Sequence, residues 1–170
     1  MTMNVPPEYA AWINSLGFTE LSLGYSGLKI FAVDELYANQ IGYSRSVHGK
    51  SLCDGQPGSW QPEWIVIGYE TAEGDPIILD TSAADLQIKT ALHGEGSWDP
   101  FPIARSLSTF GEALKAIKAA AVGREDPVSL DDNPLSEEEG EAILESIRKA
   151  NGDEINMEFW GLLLEIGLDG

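Results

Sequence analysis

The sequence predicts an α+β domain: one mainly antiparallel sheet with helices packed against it. Three observations carry that reading. Strand-like runs follow one another directly between residues 64 and 93, helical periodicity flanks them on both sides, and no strand-helix-strand alternation supports a doubly wound sheet. The 170 residues suffice for one domain and a short appendage.

Pro6 and Pro7 open the first helix, since the N–H that proline lacks has no helical partner in the first turn. Tyr9, Trp12, Ile13 and Leu16 then fall at i, i+3, i+4 and i+7, one apolar stripe, and Gly17 stops the helix. LKIF, residues 28–31, is a short strand after a glycine-rich turn, and VDELYANQI, residues 33–41, is a second helix with Asp34 near its start. Residues 42–62 are rich in Gly, Ser and Pro and form one long loop, functional, mobile or concealing a strand.

WIVIGYE, PIILD and DLQIKTALH are three successive strands. The first two are almost wholly apolar and suit central positions. The third alternates, with Leu86, Ile88, Thr90 and Leu92 on one side and Gln87 and Lys89 on the other. Between the first two, ETAEGD is a hairpin turn in which Gly74 takes a positive φ, and Pro76 begins the next strand where its missing N–H is harmless.

GEGSWDPFP, residues 94–102, is a loop. A helix over 106–123 is capped by Ser108 or Thr109, buries Phe110, Ala113, Leu114, Ile117 and Ala121, and ends at Gly123. Residues 124–135 are a charged linker. Ser136 and Glu139 have capping-box spacing for a helix bearing Ile143, Leu144 and Ile147, ended by Asn151 and Gly152. A last helix over 154–166 turns Met157, Trp160, Leu163 and Leu164 inward. The map is therefore a core over 1–123 and an acidic helical extension over 124–170 packed on the same domain.

The net charge is −18, and it is uneven. Residues 1–123 hold 14 acids and 7 bases, whereas 124–170 hold 14 and 3, so the last 47 residues carry −11. Such a surface repels phosphate backbones and anionic lipids, which argues against direct nucleic-acid or membrane binding and favours a basic protein partner. Solubility alone explains the same charge. No apolar stretch approaches the roughly 18 residues that a membrane span needs, and the start lacks a leader's pattern. A single cysteine, Cys53, forms no internal disulfide, and together these features predict a soluble, cytoplasmic protein.

Chemistry is sparse. Two histidines and one cysteine cannot supply a four-ligand zinc site without carboxylates from elsewhere. The HGE at 93–95 lacks the paired cysteines of a zinc deaminase, Gly68 and Gly74 do not lead into a basic residue opening a helix, and EGD lacks the acid ladder of an EF-hand. Cys53 with His48 or His93 has no spacing that fixes a nucleophile and base. The expectation is a protein that is not an enzyme and binds no cofactor or metal.

Several segments together resemble one family. WIVIG, a short acidic turn, GDPIILD, a strand ending at His93, and IARSLSTFGEAL are similar to the core of the SUKH superfamily, and PPEYAAWI and LKIFAVDELYANQ resemble its opening helix and the strand-helix that follows. The resemblance spans about residues 6–121. Most members carry a longer helix before the Pro-x-x-Tyr motif, and the acidic region after 123 has no counterpart among them. The family includes fungal regulators of cell-wall glucan synthesis, the bacterial SecY-interacting protein Syd, and many bacterial immunity proteins. The resemblance implies a non-catalytic, cytosolic immunity protein that binds and neutralises a polymorphic toxin, often a nuclease; the alternative it implies is a regulatory scaffold for an endogenous protein.

Candidate partner-binding residues are Glu70, Glu73 and Asp75 at the hairpin tip, Trp98 and Asp99 after His93, and Glu137, Glu138 and Glu139. Trp98 is more often a lid on the core and the glutamate tract more often a solvated helix start, and the hairpin acids also fit a turn kept in water. Trp60 and Trp64 fit the core.

Overall fold

The computed structural model describes residues 3–125 and 130–166. Residues 126–129 of the expected linker and 167–170 of the expected extension lie outside them. The α+β prediction holds: among the described residues six antiparallel strands stand in chain order in one sheet, with four helices on it. The strands are β1 (Glu20–Leu23), β2 (Ser26–Ile30), β3 (Trp64–Glu70), β4 (Pro76–Asp80), β5 (Gln87–Thr90) and β6 (Phe101–Ala104); the helices are α1 (Pro7–Leu16), α2 (Leu107–Ala120), α3 (Glu137–Asn151) and α4 (Met157–Leu163).

The register gives the sheet two unlike faces, because directly paired residues point the same way. Ile65 pairs with Leu79, Leu79 with Ile88, Ile77 with Thr90 and Ile30 with Gly68, which lines up one apolar face. The opposite face carries Val66 paired with Ile78, Ile78 with Lys89, Asp80 with Gln87 and Lys29 with Tyr69. There Asp80 is only 5% exposed, and Lys89 Nζ sits 2.8 Å from its carboxylate. Burial opposes ionisation of Asp80, but Lys89 and Ser82 outweigh it and hold the carboxyl below its usual range. Val66 and Ile78 on this face are nonetheless buried, and Trp60, Trp64, Tyr43 and Trp98 form an aromatic cluster with neighbouring centroids 5.1–5.6 Å apart.

At Gly68 β2 and β3 leave no room for a side chain, since a Cβ there would stand 2.2 Å from the Lys29 carbonyl oxygen. Beyond it β2 ends, and the backbone of β3 at Val66 finds an unusual partner. The buried Gln40 amide donates to Val66 O at 2.8 Å and accepts from Val66 N–H at 2.9 Å. This corrects the second helix expected over 33–41: the stretch is two 3₁₀ turns, Val33–Glu35 and Ala38–Gln40, which deliver Gln40 to the strand edge. The loop after it holds only isolated bridges, Ile41 to Arg45 and Arg45 to Ser51.

Other boundaries also move. The third expected strand shrinks to β5 because Leu86 takes φ 53° and Leu92 turns out to solvent. Phe101 and Pro102, expected in a loop, begin β6, an edge strand that tolerates proline. β1, with its Ser22-interrupted apolar pair, was not foreseen at all. Ser106 rather than Ser108 or Thr109 caps α2, accepting from Thr109 N–H at 3.2 Å while Thr109 Oγ1 accepts from Ser106 N–H. Gly74 does take φ 82° in the hairpin turn.

α3 and α4 contribute Leu144, Ile147, Trp160 and Leu163 to the same core as the sheet. They also seal the outer edge of β6. Asn156 N–H donates to Pro102 O at 2.7 Å, the Trp160 indole N–H to Ile103 O at 2.8 Å, and Arg105 N–H to Asn151 Oδ1 at 2.7 Å. α4 is shorter than the expected 154–166 because Asn156 caps it, accepting from Glu158 N–H at 2.8 Å. No helix among the described residues is long and apolar enough to cross a membrane.

Candidate functional site

Two hairpin tips meet at one end of the sheet. Tyr25, in the β1–β2 turn, donates its hydroxyl to Ala72 O at 3.2 Å, Thr71 Oγ1 donates to Tyr25 O at 3.2 Å, and Thr71 N–H donates to Gly27 O at 2.9 Å. The tied tips face α4 across a groove of about 750 Å³. Ser26, Thr90, Phe101, Phe159, Leu163 and Ile166 form its buried or half-buried floor. Three apolar side chains stand up at its margin: Tyr25 is 70% exposed, Leu162 69% and Leu92 54%. Large apolar groups gathered in one exposed place mark a contact surface more often than scattered ones do.

The rest of the margin is acidic. Glu70, Glu73 and Asp75 line the hairpin side, Glu158 and Glu165 the α4 side, and no Lys, Arg or His lines the groove among the described residues. The five carboxylates are not equivalent. Glu70 belongs to the turn, accepting from Ala72 N–H at 2.6 Å and Glu73 N–H at 2.8 Å. Asp75 ties the tip to the β5–β6 loop, accepting from His93 N–H at 3.0 Å and facing His93 Nδ1 at 2.6 Å. Glu73, Glu158 and Glu165 form no ion pair among the described residues.

Glu165 is held oddly. Ile166 N–H reaches Gly161 O at 2.9 Å and Glu165 N–H reaches Leu162 O at 3.1 Å, the closure that ends a helix with one left-handed residue. That residue is usually glycine; here it is Glu165 at φ 56°, a conformation costing a side chain about 1 kcal/mol. Its carboxyl is pushed above the usual range by desolvation and then by nearby Asp131.

The expected site residues thus divide. Glu70, Glu73 and Asp75 come together with Glu158 and Glu165. Trp98 lies elsewhere, its ring 5.2 Å from Trp60 and 5.6 Å from Tyr43, its backbone N–H donating to Gly58 O at 2.7 Å, and Asp99 beside it is exposed. Glu137, Glu138 and Glu139 occupy the first turn of α3, where Ser136 Oγ accepts from Glu139 N–H and Arg124 lies 3.7 Å from the Glu139 carboxylate. Neither group lines the groove. Sequence reading missed Tyr25, Leu92, Glu158, Leu162 and Glu165. Leu162 left a trace, since it falls off the stripe of Trp160, Leu163 and Leu164, and an aromatic between Gly24 and Gly27 had little chance of burial.

Cys53 is half-buried, and desolvation pushes its thiol up against the opposing hydrogen bond from Ser51. That is the reverse of an activated nucleophile. Among the described residues no three His, Cys, Asp or Glu side chains converge to hold a metal ion. Comparison with known proteins finds no family model, curated protein or solved structure that matches this chain.

Proposed function

We propose that the chain is a non-catalytic protein-binding domain: an immunity protein of SUKH type, acting in the cytoplasm, that binds and neutralises a basic polymorphic toxin such as a nuclease. One observation carries the reading, the apolar groove ringed by five carboxylates. A nuclease must be basic where it meets phosphates, and that face is drawn to an acidic rim over long range. Charge then sets the encounter rate, while the desolvated apolar contacts set the lifetime of the complex.

The test is co-expression with the toxin domain encoded in the neighbouring reading frame, followed by titration of the two purified proteins at rising salt. The proposal expects rescue of growth, a one-to-one complex, and an association rate that falls steeply as salt rises. Absence of a complex with any basic neighbour, or an association indifferent to salt, would overturn it.

A further inference from the structure

The groove also indicates what shape of partner it accepts. The strand backbone along it is already engaged: Ser26 pairs with Leu23, Glu70 with Leu28, and Thr90 lies between Ile77 and Phe101. The outer edge of β6 is closed by Asn156, Trp160 and Asn151, as described above. An extended segment laid in the groove would find no strand edge and would bury its own amides unpaired. A helix arrives with its amides paired. It needs only side-chain contacts, and Tyr25, Leu92 and Leu162 offer them in the open.

Charge narrows the chemistry. Acids stand on both margins, Glu73 on one and Glu158 and Glu165 on the other, so a single row of cations would leave one side unanswered. A second copy of the chain, at −18, brings the wrong sign.

We infer that the groove receives one amphipathic α-helix of the basic partner, its apolar stripe on Leu162, Leu92 and Tyr25 and its Lys or Arg residues flanking the stripe on both sides. The inference rests on the reading that this groove is the binding face. The probes are fluorescent peptides of about 18 residues, long enough to hold helical form on a surface. One has Leu at i, i+3, i+4 and i+7 with Lys on both flanks; the others are the same composition scrambled, the same pattern with a central proline, and the same pattern with Glu for Lys.

With the full chain, the patterned Lys peptide should bind at least about tenfold more tightly than the scrambled and proline peptides. It should gain helical circular dichroism on binding, and the Glu peptide should not bind. Leu162→Asp should reduce binding at least about tenfold, with Leu92→Asp as a second variant; both sites are exposed, so the thermal melt should hold. Equal binding of the patterned and scrambled peptides, or of the proline peptide, would overturn the helix. A dimer in light scattering that Leu162→Asp dissolves would overturn it in favour of a second copy. If a basic partner binds with undiminished affinity to Leu162→Asp yet loses it on reversal of Glu73 and Glu158, the helix fails and the proposed function stands; if no basic partner binds, the proposed function itself fails.

Discussion

The groove margin and the start of α3 are two acidic regions that look alike in sequence and differ in kind. At the start of α3, Glu137, Glu138 and Glu139 sit on a helix N-terminus, whose partial positive charge they complement, and Arg124 approaches Glu139. None of the three lines the groove. At the groove, Glu73, Glu158 and Glu165 ring exposed Tyr25, Leu92 and Leu162 and have no cation of their own among the described residues. The difference teaches that a count of carboxylates says little; what matters is how far each is committed to its own fold, and what lies beside it.

Commitment is measurable, and Asp80 marks its upper end. Asp80→Asn should lose about 2 kcal/mol at pH 7, because Lys89 then keeps a largely buried charge without its partner. The sign with pH follows from the lowered carboxyl. Its contribution is fully present above the unfolded value of 3.8 and is lost as pH falls through the lower folded value, so parent and variant melts should converge in strong acid. A gap that persists there would remove the ion pair as the cause.

Glu70 stands next. Glu70→Ala strips two N–H donors of their acceptor at the tip and should cost about 1.5 kcal/mol by urea unfolding, most visibly as faster amide exchange at Ala72 and Glu73. An unchanged exchange pattern would mean that Glu70 belongs with the free acids. Glu165→Gly should go the other way, raising stability by about 1 kcal/mol through relief of the left-handed backbone while weakening capture of the proposed basic partner. Least of all, Glu137, Glu138 and Glu139 changed together to Gln should lower stability by under about 1 kcal/mol and leave binding intact.

Much of the fold was legible because its signals are local. The hairpin WIVIGYETAEGDPIILD announces itself by β-branched residues, a glycine with positive φ and a strand-opening proline; α1, α2 and α3 announce themselves by stripe and punctuation. β1 and β6 were not legible, being four residues each, one interrupted by Ser22 and the other carrying Pro102. The turns over 33–41 carried a helical pattern, but the tertiary bond from Gln40 to Val66 overrode it. The groove was legible only by half. Glu70, Glu73 and Asp75 are neighbours in sequence, whereas Tyr25, Leu92, Glu158 and Leu162 join them only through the meander and the return of α4, which no local pattern encodes.

A matched pair of charge reversals separates binding at the groove from acidity in general. One chain carries Glu73→Lys with Glu158→Lys, the other Glu137→Lys with Glu139→Lys, so both change net charge equally. Measured by calorimetry against the basic partner, the groove pair should weaken binding at least about tenfold and the α3 pair less than about twofold. Equal losses, or a larger loss from the α3 pair, would contradict the claim that this groove is where the partner sits.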